Sequence, residues 1–457
     1  MNAIYILTGV GVLSLLSEIL NFKKYIVWLA VLGLVATLVF TVADWGTSIR
    51  YFNDMVYFDN YAVAFSALLA GVGLLWLLLS KRFFESNYHV TDYTALVVFA
   101  LVGAVLMVSF SNMVVLFIGI EIISLSMYVM AGSRKNDLLS NEAALKYFLL
   151  GSFATGFLLF GIALVYGASG SFYLAEIAQY SATMQPPVFY YTGIVLIFIA
   201  LAFKVSAVPF HFWAPDVYQG APVSVTSYMA TIVKTAAFAA FFRLFYTAFA
   251  GNSDVWWLAL SIITVLTLAV GNIIAVQQTN AKRLLAYSSL AHAGYLLMAL
   301  MILNSYSAGA ILYYAASYSL ATLLSFFVLD KVNEHTKTND IGGFKGLYKK
   351  SPLLAFVLVL SLLSLAGIPP MAGFFAKYYL FAAALKSGLL WLVITGVVAS
   401  LISIIYYFKV VAAAFSQPDE TEVTPIPVPA FQKVVIVLMA LGLIALGILP
   451  NLVFGLI

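Results

Sequence analysis

The chain has 457 residues, 64% of them hydrophobic and 9% charged, with a formal charge of +4. A soluble chain is nearer half apolar and a quarter charged, so the excess excludes a soluble globular protein and defines an integral membrane protein. The absence of cysteine excludes disulfides and iron–sulfur clusters held by thiolates of this chain, and no basic block suits nucleic acid.

In chain order, apolar runs long enough to cross ~30 Å of hydrocarbon fall at about 3–21, 25–43, 60–80, 92–110, 112–132, 143–167, 189–214, 222–247, 255–276, 284–303, 307–330, 352–386, 388–413 and 430–456. The first lacks a basic start and a small-residue cleavage site, so it reads as a span, not a signal peptide. An all-α polytopic membrane protein with about fourteen transmembrane helices is expected. Two spans are irregular: Pro209 interrupts the seventh, and Pro369 with Pro370 interrupts the twelfth, which is also too long for one straight helix. Both read as discontinuous helices. The Pro-rich, acidic stretch 416–429 reads as a solvated connector.

Loop charges alternate. Lys23-Lys24, Lys81-Arg82, Arg134-Lys135, Lys282-Arg283 and a 331–350 loop rich in lysine share one side of a fourteen-span arrangement. By the positive-inside rule that side is cytoplasmic and both termini face the periplasm.

A few charges fall inside spans. Glu121 lies within "MVVLFIGIEIISLSMYVM", Lys204 inside the seventh span, Lys234 at the centre of the eighth, Lys377 just beyond the Pro-Pro break, and His292 in "RLLAYSSLAHAGYLLMALM". Each ionised group costs on the order of 3 kcal/mol at the bilayer centre, so three lysines and a glutamate together rival the stability of a domain. Proton relays use such groups. A structural reading stands beside each: Glu121 as a mere counter-ion, the lysines as snorkelling chains, His292 as a neutral hydrogen-bonded residue. Glu142 and Lys146, four residues apart, also suit an exposed ion pair. Lys409 near the end of the thirteenth span suits snorkelling.

Three offsets nearly agree: Glu121 to His292 is 171 residues, Lys204 to Lys377 is 173, and Lys234 to Lys409 is 175. Five spans separate each pair, and an odd period inverts the second copy across the membrane. The expected organisation is three N-terminal helices (1–91), repeat A with helices 4–8 (92–250), an inverted repeat B with helices 9–13 (251–416), and a C-terminal helix (430–457). A proline inside a span frees backbone carbonyls, tolerated at depth only beside protein or water. A hydrated pocket is therefore expected near Lys204, with Ser206, His211, Thr231, Thr235 and Ser288 placed to hold connecting waters. No P-loop, GxGxxG or Cys metal motif occurs. No cofactor or metal is expected in this chain.

The stretches "FKVSAVPFHFWAPDVYQGAPVSVTSYMATIVKTAAFAAFFR", "KRLLAYSSLAHAGY" and "LSLAGIPPMAGFFAKYYLF" resemble the antiporter-like proton-channel subunits of bacterial NADH–quinone oxidoreductase (complex I), over about residues 90–415. Relatives of that family include Mrp-type cation/proton antiporters and membrane-bound hydrogenases. "HFWAPDVYQGAP", a lysine at 377 and the end of the chain after the fourteenth span resemble the subunit N branch. The resemblance implies that Glu121 and Lys204 form an ion pair. It also implies that Lys234 is a central proton carrier, His292 a member of the polar axis and Lys377 the terminal carrier, with Lys146, His211 and Lys409 as weaker candidates. It further implies partner subunits, membrane and peripheral, that carry NADH, FMN, iron–sulfur clusters and quinone, and a location in the bacterial inner membrane. A subunit of an Mrp-type antiporter or of a membrane-bound hydrogenase, and a non-conducting helix bundle, remain as alternatives.

Overall fold

The computed structural model describes residues 1–85, 89–418 and 424–456; residues 419–423 of the expected connector lie outside them. In chain order the main helices are α1 (Asn2–Leu16), α2 (Ile26–Ala43), α3 (Asn60–Leu79), α4 (Val90–Ser109), α5 (Met113–Ala131), α6 (Leu138–Ser169), α7 (Val188–Lys204) and α8 (Trp213–Gly220). They continue as α9 (Val223–Thr247), α10 (Ser253–Gln277), α11 (Ala281–Ile302), α12 (Ser305–Thr336), α13 (Pro352–Ala366), α14 (Ala372–Lys386), α15 (Leu390–Phe415) and α16 (Ala430–Ile448). One short hairpin, Ile49–Tyr51 against Val56–Phe58, joins α2 to α3.

Among the described residues, eleven helices are long and apolar enough to cross a membrane. The expected fourteen is not reached by length: α1, α7 and α13 are apolar but shorter, the last two because they are first halves of broken helices. The expected 331–350 loop is also shorter than read, since α12 runs on to Thr336.

The apolar stretches of α9, α11 and α12 are 100%, 89% and 94% buried, against 33% for those of α6 and α15. These three are less apolar than α6 and α15, and polar side chains are costly against lipid, so they form the centre while α6 and α15 lie in the outer wall. Small residues let the wall close on itself. A Cβ on Gly161 of α6 would meet the Gly193 carbonyl of α7 at 2.8 Å, so only glycine permits this backbone approach.

One local device occurs twice. Asn112 caps α5 through its side chain and forms a bridge with Tyr173, beyond α6; Asn280 caps α11 the same way and bridges Asp340, beyond α12. Each asparagine thus ties the start of one helix to the exit of the next.

Both helix breaks stop where a proline dictates. Proline clashes with the carbonyl four residues earlier and offers it no N–H. For Pro209 that carbonyl belongs to Val205, and α7 ends at Lys204; for Pro370 it belongs to Ala366, the last residue of α13. The seventh break therefore opens at the lysine, upstream of the proline that sets it, and Ser206 continues at φ +61°.

Candidate functional site: a buried lysine–histidine–tyrosine axis

Lys204, Lys234, His292 and Lys377 are all buried, at 8% exposure or less. Lys204 donates from the end of α7 to Ser124 Oγ of α5, 2.6 Å away. Glu121 lies one turn before Ser124 on the same helix. The expected direct ion pair is absent: among the described residues no carboxylate stands within 4.0 Å of Lys204, and Glu121 Oε1 is buried without a hydrogen-bond partner. Serine, shorter and one turn nearer the lysine, takes the contact that the sequence suggested for the acid.

Lys234 comes directly after a π-bulge over Met229–Val233 in α9. Such a bulge rotates the next residues about the helix axis and often marks a functional position. Lys234 Nζ donates to the Ser289 carbonyl at 2.7 Å and to the Ser289 hydroxyl, and lies 6.0 Å from the Tyr318 ring centre. Tyr318 donates in turn to Ser289 Oγ at 2.9 Å.

Four residues of α11 face this region together because Ser288, Ser289, His292 and Tyr295 recur at helical spacing. His292 is held from both ring nitrogens, Nδ1 to the Tyr314 hydroxyl at 2.6 Å and Nε2 to the Tyr407 hydroxyl at 3.1 Å. Tyr407 also bonds Ser288. Further along α11, the Tyr295 ring lies 4.8 Å below Lys377 Nζ.

Lys377 makes direct use of the second break. Its ammonium donates to the Ala366 carbonyl, the one Pro370 leaves without an N–H, and to Ser400 Oγ, both at 2.8 Å. Gly367, at φ +83°, makes the turn, and a Cβ there would meet the Lys377 chain at 2.9 Å. Lys204 precedes its break whereas Lys377 lies beyond its own. The cis-linked Pro209 and Pro370 are 161 residues apart (370 − 209), not 173. The lysines are thus not at matching places relative to the breaks.

The weaker candidates separate. Lys146 joins a partly exposed network outside the axis: it pairs with Glu142 at 2.6 Å and Asp216 at 2.7 Å, and Asp216 pairs with Arg283 at 2.8 Å. His211 is buried beside the first break, and its Nδ1 has no partner. Lys409 is exposed and donates to the Gln278 carbonyl at the end of α10. It does not match Lys234: two residues on from the inward Tyr407, it is ~200° round the helix. Lys282, expected in a loop, is buried against the Gln219 and Ala221 carbonyls at the end of α8.

The sequence reading missed Ser124, Ser289, Ser400, Tyr314, Tyr318 and Tyr407 as direct partners, and Asp216 with Arg283 as a network. A signal existed for some of them. The 3–4 spacing in "SSLAHAGY" aligns Ser289, His292 and Tyr295, and "YYFK" places a tyrosine pair inside a span.

Buried lysines held at broken helices around a histidine–tyrosine core define an antiporter-like membrane subunit. A family model described as NADH:quinone oxidoreductase/Mrp antiporter matches residues 110–403. NADH-quinone oxidoreductase subunit N of Flavobacterium johnsoniae is 42% identical over 100% of both chains, and that of Cytophaga hutchinsonii is 42% identical over 99% of this chain and 98% of its own. The chain belongs to the NADH-quinone oxidoreductase subunit N family. Among solved structures, respiratory complex I from Thermus thermophilus contains a chain of TM-score 0.84 and 34% identity, covering 99% of this chain and 98% of that one. The Mrp complex of Dietzia matches in fold, at TM-score 0.83 and 21% identity over 99% of this chain and 94% of that one.

Proposed function

We propose that this chain is a proton-translocating membrane subunit of a bacterial respiratory complex that oxidises NADH and reduces quinone, and that protons cross it by way of Glu121, Lys204, Lys234, His292 and Lys377. One observation carries the reading. Lys204, Lys234 and Lys377 are each buried against serine hydroxyls, carbonyls or tyrosine rings, with no carboxylate within 4.0 Å among the described residues. Neutral dipoles solvate an ammonium, yet losing its proton strands no buried counter-charge. A side chain so placed can change protonation state with little reorganisation.

Redox chemistry takes place in partner subunits, membrane and peripheral, that carry NADH, FMN, iron–sulfur clusters and quinone. A shift of Glu121 relative to Lys204 is the input. With the carboxylate withdrawn, Lys204 releases its proton toward Lys234. His292, between Tyr314 and Tyr407, then passes a proton along α11 to Lys377. Moving one charge against 100 mV takes ~2.3 kcal/mol, which a change in the distance from the Glu121 carboxylate to the Lys204 ammonium would supply. The basic loops support entry from the cytoplasmic side, with exit and both termini on the periplasmic side, of what we take to be the bacterial inner membrane. The repeated asparagine device supports two inverted repeats, 92–250 and 251–416, between three N-terminal helices and a C-terminal one.

The family model also spans Mrp antiporters, so an ion-gradient-driven antiporter subunit is the second reading. Co-purified partners separate the two: flavin and iron–sulfur subunits fit the first, further Mrp subunits the second. Lys204→Ala and Glu121→Ala test the site, scored by assembly, NADH oxidation and proton uptake into inverted vesicles. Uptake should fall while assembly holds. Full pumping stoichiometry in both assembled variants would remove these residues from the path.

A further inference from the structure

A groove of about 440 Å³ lies outside the proton axis, at the end of the bundle where α2 begins and α3 ends. Its floor is apolar, formed by Trp28 of α2, Leu77 of α3 and Phe431 of α16, with the Trp28 and Phe431 rings edge to face at 6.3 Å. Its rim is basic: Lys23, Lys24 and Lys81 line it, with Glu18 as the one acid among the described residues. Lys23 pairs with Glu18 at 3.2 Å, and all four side chains are exposed. Trp28 is 52% and Phe431 47% exposed.

Aromatic rings and lysines at a helix end are the residues of the membrane interface. Here they are combined in one concavity whose polarity runs from cationic rim to apolar floor over a few ångströms. A phospholipid has the same order, headgroup to chain. A zwitterionic headgroup gains little from a surplus of lysines, whereas a net anionic one gains with each. We infer that this groove is a specific site for an anionic glycerophospholipid of the adjoining leaflet, its phosphate on Lys23, Lys24 and Lys81 and one acyl chain across Trp28 and Phe431. The lipid would tie α16 to α2, which otherwise meet through exposed rings.

The test uses the intact complex in lipid nanodiscs carrying a trace of phosphatidylglycerol or phosphatidylcholine with a photoreactive acyl chain, and adducts mapped by mass spectrometry. Phosphatidylglycerol should label peptides around Trp28, Leu77 and Phe431 roughly tenfold more than phosphatidylcholine, the preference one to two net interfacial charges supply. The preference should vanish in the Lys23→Gln, Lys24→Gln, Lys81→Gln variant. Trp28→Ala should lower labelling by both lipids. The wild-type ratio stands as a test even where a variant assembles poorly. Equal labelling by the two lipids overturns the inference, as does a lack of lipid adducts with the floor cross-linked to another subunit.

Discussion

Replacing Lys234 with methionine separates a proton carrier from a structural lysine. Removing the ammonium relieves on the order of 3 kcal/mol of insertion penalty. It also forfeits two hydrogen bonds from a charged donor, about 1.5–3 kcal/mol each, and a distant ring contact. The balance is a loss of roughly 0–3 kcal/mol. No polar group is stranded, because Ser289 Oγ keeps its 2.9 Å bond from Tyr318. Methionine has nearly the lysine stem's volume, so no cavity opens. The expected stability loss is therefore at most roughly 3 kcal/mol, and the assembled complex should still be detected on native gels. Proton uptake by inverted vesicles, normalised to complex content, should nevertheless collapse. Lys234→Arg sharpens the test: the charge stays but is never released, so pumping should fail there too. Wild-type pumping in either assembled variant, or pumping restored by arginine alone, would refute the role given to Lys234.

Tyr407→Phe removes the hydroxyl 3.1 Å from His292 Nε2 and should slow NADH-driven proton uptake severalfold, with assembly intact. Lys409→Met should leave uptake at the wild-type level, because it loses only the exposed bond to the Gln278 carbonyl. Asp216→Asn weakens two ion pairs at once; both are partly exposed, so chemical denaturation should show a loss of about 1 kcal/mol that shrinks at high salt. Gly161→Leu drives a side chain at the Gly193 carbonyl, and the separation of α6 from α7 should lower stability by roughly 1–3 kcal/mol and reduce the amount of assembled subunit.

The spans were legible because a membrane leaves the backbone few choices: a run of apolar residues bounded by charges must be a helix. The breaks were legible for the same reason, since Pro209 and Pro370 remove a donor that nothing in lipid replaces. What a lysine would bond to was not legible. Glu121 and Ser124 lie one turn apart on α5, and a difference of a few ångströms decides which of them meets Lys204. The pairing of Lys234 with Lys409 failed on helical phase. An offset of 175 residues fixes a place along the chain, but a two-residue slip from Tyr407 turns a side chain from the core to the lipid. Lys282 misled through its neighbour: Arg283 does lie at the surface, while Lys282 turns inward to the end of α8.

The partners of the three lysines bear on why the axis has two parts. Among the described residues Ser124 is the one hydrogen-bond partner of Lys204, and no bond joins Lys204 to Lys234. From Lys234 onward the polar groups form two hydrogen-bonded sets, Lys234–Ser289–Tyr318 and Ser288–Tyr407–His292–Tyr314, which meet where the His292 and Tyr318 rings lie 4.8 Å apart, with Tyr295 beside Lys377. A continuous wire across the whole chain would let protons run back down their gradient. A gap beside α5, where Glu121 Oε1 is buried without a hydrogen-bond partner, lies where a moving charge has most leverage. Burial removes solvent screening there, so a small displacement of Glu121 changes the field at Lys204 far more than at Lys377. In the proposed path the gate would lie between α5 and α7, with the polar groups downstream as its relay.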